Sequence, residues 1–366
     1  MERFNERVVA QLSRDFDVSV CGPEGCEAFL PEGTLVASVR VRPLPLFLVR
    51  AAFASLRMAR HARPDVVIAG SGLTAPLALL VARSFRVPAL VFLYGLDLVV
   101  SNRWYQRLWI PAIRACDGFL PISRHTRDLA IAKGLDPSKM DIVTPGVDPV
   151  DDAVGDASNF RENHQLGDRP ILLSVGRLTR RKGLVEFIRD CLPDIVARQP
   201  EVILVVIGGE PADALAGNRG GVSDDARAVA KSLGIERNVQ LLGSVSDATV
   251  RAAYHASQVH VFPILDIPGD VEGFGMVALE AAIVGVPTVA FSVGGVPDAI
   301  APGISGALIA PGNYPGMAEA ILRYVDASAS RETDSQRHAC ITFAREFEWD
   351  KIGDRLKAVI SRLAGF

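Results

Sequence analysis

The sequence predicts an α/β protein of two doubly wound, Rossmann-like domains. Three observations carry this. Short apolar runs alternate with helical patterns along nearly the whole chain, as parallel strands joined by helical crossovers do. The length, 366 residues, suits two domains better than one. Residues 149–167 are rich in Asp, Gly, Ser and Asn, the composition of a hinge. The expected division is a first domain over 1–150, a linker over 151–167 and a second domain over 168–340.

The chain opens unusually. Doubly wound domains begin with an apolar strand and a Gly-rich turn. Here Met1 to Leu12 reads as a helix, with Phe4, Val8, Val9 and Leu12 on one side. The first strand-like run is Phe16–Cys21, followed by Leu35–Val41, Asp65–Ala69, Ala89–Leu93, Gly118–Ile122 and Asp141–Val143. Gly70-Ser-Gly72-Leu-Thr-Ala75 fits Gly-x-Gly-x-x-Ala between a strand and a helix, with Asp97 further on. That spacing is the dinucleotide fingerprint, so an NAD(P) oxidoreductase is one reading, although the rest of the chain carries no dehydrogenase pattern.

Arg40 to Arg63 holds six arginines and no acid, with Phe47, Phe53 and several leucines between them. A basic amphipathic helix fits a membrane surface; an ordinary covering helix with a solvated Arg side is the alternative. Trp104, Tyr105 and Trp109 lie beside Arg103 and Arg107 and suit an interface, a sugar platform or plain core packing.

The second domain opens with a buried run, Ile171–Val175, ending at Gly176. Arg177 and Lys182 follow five residues apart and could hold a diphosphate, Arg bidentately and Lys as a point charge. Arg180 and Arg181 are expected in a solvated turn. Strands are expected at Val202–Gly208 and Val239–Gly243. A further apolar run, Val259–Phe262, stops at Pro263, and a loop leads to Glu272-Gly273-Phe274-Gly275. Met276, Val277, Leu279, Ala282 and Ile283 then recur at helical spacing. A helix start leaves N–H groups unpaired and carries partial positive charge, and flanking glycines let a ligand approach. The place suits a phosphate. Glu272 and Glu280 lie on either side of it, and a carboxylate suits a sugar diol.

Glu-Gly-Phe-Gly-x4-Glu-Ala, followed by Gly-x-Pro-x-Val-Ala and Gly294-Gly295-Val-Pro-Asp298, resembles the donor-site signature of retaining GT-B glycosyltransferases, nearest to family 4. The resemblance implies the GT-B fold, with an interdomain cleft, and a nucleoside-diphosphate sugar (GDP or UDP type) as donor. It implies Glu272, Arg177 and Lys182 as the catalytic set, with Arg177 and Lys182 on the leaving diphosphate. Gly176, Gly243, Gly273, Phe274, Gly275, Met276, Val277 and Glu280 complete the donor site, Glu280 on the ribose. Tyr94 stands where the family commonly has His, and with Asp97, Ser123 and Arg124 it is a candidate for the acceptor or sugar side. The implied acceptor is a glycan or lipid-linked intermediate of a cell-surface polysaccharide. Residues 341–366 match helices that cross back to the first domain. Measured against the family, the start lacks a strand and a Gly-rich loop. A sugar-nucleotide epimerase and a non-catalytic homologue remain as rivals.

Bulk properties narrow the classes. Net charge is −3, which does not favour nucleic acid. The first 150 residues carry net +4 and the remainder −7, so the halves are expected to meet different partners. Five scattered cysteines make no zinc or disulfide pattern, and no signal peptide or spanning segment is seen. Asp15-Phe-Asp17 is the lone Asp-x-Asp and opens an early strand, so no metal and no cofactor are expected. The expected location is cytoplasmic, peripheral on an anionic membrane.

Overall fold

In the computed structural model, described over residues 2–149, 154–210, 221–327 and 332–365, the chain divides into two compact units. One comprises Met1–Gly146 with Glu348–Phe366, the other Val147–Phe347.

In unit 1, α1 (Glu2–Leu12) precedes β1 (Ser19–Pro23) and β2 (Leu35–Val39), which pair in parallel. After α2 (Leu44–Ala62) come β3 (Val67–Ala69), α3 (Ala75–Phe85), β4 (Ala89–Leu93), α4 (Leu96–Val99), α5 (Arg103–Arg114), β5 (Gly118–Pro121) and α6 (Arg124–Ala132). Strands β3, β4 and β5 form a separate parallel sheet, and no ladder joins it to β1 and β2. Every residue of β4 is buried, as in a parallel strand covered on both faces. Helix α2 packs on β1, β2 and α3; α3 packs on β3, β4 and α5. Elsewhere Phe4 of α1 meets Phe92 edge-on at 5.1 Å and Trp349 at 5.7 Å, which fixes α1 beside α15 (Trp349–Ala364).

Two expectations shift here. Asp141–Val143 is not a strand: Asp141 N–H donates to the Phe119 carbonyl at 3.0 Å and Val143 N–H to the Pro121 carbonyl at 3.1 Å, so the segment runs beside β5 just after the isolated bridge of Met140 with Phe119. The returning helices begin later than 341, because unit 1 resumes at Glu348.

In unit 2, residues 151–153 of the expected linker lie outside the described residues, and the rest is not a linker. Val154–Asn163 forms α7, with Phe160 buried. Arg161 donates to the carbonyls of Gly167, Arg169 and Ala256 at 2.8, 3.0 and 2.6 Å. These anchors outweigh the poor helix propensity of the segment. Then follow β6 (Ile171–Val175), α8 (Leu184–Asp190), α9 (Leu192–Arg198), β7 (Ile203–Ile207), α10 (Val222–Ser232), β8 (Val239–Gly243), α11 (Asp247–Ala256) and β9 (Val259–Phe262). The unit ends with α12 (Met276–Ile283), β10 (Thr288–Phe291), β11 (Gly306–Ile309), α13 (Tyr314–Ala327) and α14 (Glu332–Arg345). Its six strands form one parallel sheet in the order β11-β10-β9-β6-β7-β8. Both units are α/β with parallel sheets, as expected. Among the described residues no helix is long and apolar enough to cross a membrane.

Candidate functional site

The strand order of unit 2 places a site. From β6 the chain moves to β7 and β8 on one side; β9, β10 and β11 lie on the other. The order reverses between β6 and β9, and loops leaving such a pair diverge to leave a crevice at the carboxyl ends of the strands. The loops there are residues 176–183 and 263–275, which contain Arg177, Lys182, Glu272 and Gly273–Gly275.

The first loop ends in a 3₁₀ turn, Arg180–Lys182. Three residues per turn send three consecutive cations in three directions. Arg180 goes to solvent, and Lys182 is half-buried. Arg181, expected in a solvated turn, is instead 8% exposed. Its Nε donates to Asp270 Oδ1 at 2.9 Å, and its Nη1 donates to Glu272 Oε2. Lys182 Nζ donates to the same Glu272 oxygen at 2.8 Å and lies 4.7 Å over the Phe262 ring. The Leu265 N–H donates to the Arg181 carbonyl at 2.9 Å, so the two loops are joined by backbone as well as charge. Arg177 is exposed and makes no side-chain hydrogen bond or ion pair among the described residues.

Burial pushes the Glu272 carboxyl up, but Lys182 and Arg181 outweigh it and hold the group below the usual range. Burial also pushes the Lys182 ammonium down against the pull of Glu272, and Arg181 and Arg177 add to that push. Because the folded-state pKa of Glu272 is depressed, its stabilising share is present above the unfolded value near 4.5 and is lost as pH falls through the folded value. Denaturant unfolding between pH 7 and 3 should show this as a loss setting in below about pH 4.5. Glu272→Gln should be less stable at pH 7 and lose less on acidification. An unchanged pH slope would remove Glu272 from this role.

The second loop is held by a Gly-Gly turn. Gly295 N–H donates to the Glu272 carbonyl at 2.8 Å, and a Cβ on Gly295 would stand 2.0 Å from the Gly273 carbonyl oxygen. Phe274 is buried, its ring 6.1 Å from that of Phe347, so only its backbone can meet a ligand. Gly275, with φ 96°, starts α12 without a side-chain cap. The N–H groups of Met276 and Val277 therefore have no acceptor within the helix. Gly176 ends the strand run of β6 and Gly243 that of β8, with φ 143° and 70°.

Glu280 lies one turn into α12. The Tyr254 hydroxyl reaches Glu280 Oε2 at 3.3 Å and the Val277 carbonyl at 3.2 Å. Burial first, and then Glu280, push the Tyr254 phenol well above its ordinary value, so it stays protonated and donates. His260, fully buried on β9, contacts Thr288 Oγ1 through Nδ1 at 3.1 Å, and its Nε2 has no partner among the described residues. Burial, with Lys182 nearby, pushes the imidazole down to about 3, so it is neutral. Sequence reasoning missed Arg181, Tyr254 and His260, none of which carried a local signal for its place in the site.

The unit 1 candidates are engaged internally. The Tyr94 hydroxyl donates to Asn5 Oδ1 at 2.8 Å, and burial first, then Asp97, raise its pKa. Asp97 Oδ2 accepts from the backbone N–H groups of Gly72 at 3.2 Å and Tyr94 at 3.1 Å. This corrects the dinucleotide reading of Gly70–Ala75, because the carboxylate closes the glycine loop instead of facing a ribose. Ser123 is fully buried and caps α6: its Oγ accepts from the Thr126 N–H at 3.0 Å. Arg124 is exposed at the first position of α6. Among the described residues no group of three His, Cys, Asp or Glu could hold a metal.

Two family descriptions match the chain: glycosyl transferases group 1 over residues 156–347 and Glycosyltransferase Family 4 over 1–151. A D-inositol 3-phosphate glycosyltransferase of Mycobacterium leprae is 32% identical over 244 residues, 65% of this chain and 53% of that protein. The chain thus spans about half the length of that relative. A GDP-mannose-dependent alpha-(1-6)-phosphatidylinositol monomannoside mannosyltransferase of Mycolicibacterium smegmatis is 28% identical over 331 residues, covering 84% of this chain and 81% of that one. Among solved structures, Anabaena HepE in complex with UDP superposes with a TM-score of 0.80 at 18% identity, covering 99% of this chain and 96% of that one. WaaG, a glycosyltransferase involved in lipopolysaccharide biosynthesis, gives 0.67 at 16% identity, over 100% and 96%. These neighbours share the GT-B fold.

Proposed function

Because the chain belongs to the glycosyl transferases group 1 family, we propose that it moves a hexose from a nucleoside-diphosphate sugar to a glycan or lipid-linked acceptor, with retention at the anomeric carbon. The observation that carries this is the crevice between β6 and β9. It brings a helix start whose first N–H groups have no acceptor within the helix, two cations and two carboxylates to one strand switch.

Each part has a task. Arg177 and Lys182 neutralise the diphosphate as the sugar–phosphate bond breaks, which is electrostatic stabilisation of developing charge. The N–H groups of Met276 and Val277 orient the phosphate nearest the sugar. Glu272 accepts from sugar hydroxyls, and Glu280 accepts from the ribose. Lys182 must then share its protons between Glu272 and the diphosphate, because in the free protein it already donates to Glu272. The names of a GDP-mannose-dependent relative and of a UDP-bound neighbour support GDP or UDP as the carrier.

A thermal-shift panel of UDP, GDP, ADP and their hexose conjugates tests the donor. At about 100 times Kd, ligand linkage contributes roughly 2.7 kcal/mol, which is a rise of about 5 °C or more for units of this size. No rise with any nucleoside diphosphate would reject the assignment. The configuration of the product, read by NMR on the responding donor, tests retention.

A further inference from the structure

The two inward cations of the 3₁₀ turn are held differently. Arg181 is tied at both ends. Its carbonyl accepts from the Leu265 N–H at 2.9 Å, and its guanidinium spans two carboxylates, Nε on Asp270 Oδ1 at 2.9 Å and Nη1 on Glu272 Oε2. A guanidinium is a rigid fork of donors, so engaging two of them on different groups fixes the plane of the head. Lys182 is tied at one point. Its ammonium donates to Glu272 Oε2 at 2.8 Å and lies 4.7 Å over the Phe262 ring. An ammonium on a flexible four-carbon stem turns to a new acceptor by rotating its own bonds. Both cations meet Glu272 through Oε2, and Oε1 accepts no hydrogen bond among the described residues.

Asp270 is itself set by a turn written in the sequence. Residues 267–270 read Ile-Pro-Gly-Asp, and Pro at the second position with Gly at the third is the pattern of a type II turn. Gly269 has the positive φ, 82°, that the third position requires, and the Asp270 N–H closes the turn on the Ile267 carbonyl at 3.0 Å. Two residues on, the Glu272 carbonyl is taken by the Gly295 N–H at 2.8 Å. The backbone that carries both carboxylates is therefore fixed on either side of the Arg181 head. Asp270 is half-exposed, and an ion pair open to water contributes little stability by itself. What it does is aim Arg181.

The Glu272 side chain is mostly buried, and a buried carboxylate stripped of its partners takes up a proton. A diphosphate in the crevice draws Lys182 away from it. We propose that Asp270 is a positioning residue: by fixing Arg181 it keeps one cation on Glu272 when Lys182 turns to the diphosphate. Arg181 is then the permanent partner of the carboxylate and Lys182 the exchangeable one. Glu272 stays ionised through the exchange, and its Oε1 remains open to a sugar hydroxyl. This role rests on the transferase reading of the crevice.

Asp270→Asn tests it, because it keeps the size of a half-exposed side chain and removes its charge. Turnover is followed as release of UDP or GDP from the hexose conjugate to which the parent responds, and affinity by calorimetry with UDP and GDP. Asp270→Asn should lower kcat about 10-fold or more, the factor for one hydrogen bond to a charged group, with nucleotide affinity unchanged. Arg181→Lys, which keeps the charge and loses the fork, should do the same. The double variant should fall no further, because both changes act through one guanidinium. In proton–nitrogen NMR spectra the Arg181 Nε–H, assigned by its absence from Arg181→Lys, should stay unmoved at saturating UDP or GDP and be lost to exchange with water in Asp270→Asn. A salt bridge with only a structural role would leave kcat of Asp270→Asn at the parent value, which would overturn the proposal. So would additive losses in the double variant, or an Nε–H that shifts when nucleotide binds. Tighter nucleotide binding by Asp270→Asn would overturn it too, since Arg181 would then serve the diphosphate itself. A parent that turns over no donor would instead fail the transferase reading, and this role with it.

Discussion

Lys182→Ala should lower affinity for the responding nucleoside diphosphate about 10- to 100-fold, and Arg177→Ala should do so by a similar factor. A hydrogen bond to a charged group contributes roughly 1.5–3 kcal/mol, which is that range. The two substitutions should differ in what else they change. Arg177 is exposed and makes no side-chain ion pair among the described residues, so its loss should leave the melting temperature near that of the parent. Lys182 is half-buried and bonded to Glu272. Its removal leaves that carboxylate to Arg181 alone, so stability should fall as well. Calorimetry with UDP and GDP reads the affinity, and differential scanning reads the stability. Unchanged affinity in both variants would mean that the diphosphate is held elsewhere.

Glu272→Gln should reduce turnover by about 100-fold or more, the scale on which preorganised electrostatic groups act, with nucleotide affinity unchanged or slightly raised. The rise follows from the geometry, because removing the carboxylate charge releases Lys182 and Arg181 toward the diphosphate. Glu280→Gln should do the opposite: its loss should fall on nucleotide affinity, because its proposed partner is the ribose. Tyr254→Phe should shift nucleotide affinity in the same direction by a smaller factor, since the phenol hydroxyl reaches Glu280 at 3.3 Å. The measurements are kcat on the responding donor and Kd by calorimetry. Equal loss of nucleotide binding in the two glutamate variants would undo the spatial order.

Much of unit 2 was legible because its signals are local. Val259–Phe262, Pro263, the paired glycines and the helix pattern from Met276 each mark an element by residue type, and the structure places β9, the loop and α12 there. Arg181 was not legible. Arg180, Arg181 and Lys182 are three cations in a row, and only the 3₁₀ turn and the position of Asp270 decide which one turns inward. Asp97 and Ser123 misled for a related reason. A carboxylate beside a glycine loop, or a serine before a helix, reads the same in sequence whether it meets a ligand or the backbone N–H groups of its own chain. Helix α7 was hidden because Phe160 and Arg161 find their anchors in the folded unit and not in the segment.

The division of unit 1 into a two-stranded and a three-stranded sheet has a consequence for handling the protein. One continuous sheet ends in two edges; two sheets end in four. Among the described residues, the flank of β1 away from β2 and the flank of β3 away from β4 carry rows of backbone donors and acceptors with no strand beside them. Such rows are templates for any extended peptide, from a second molecule or from an unfolding neighbour. Strand addition there would lengthen either sheet, so self-association in concentrated solution should begin at β1 and β3.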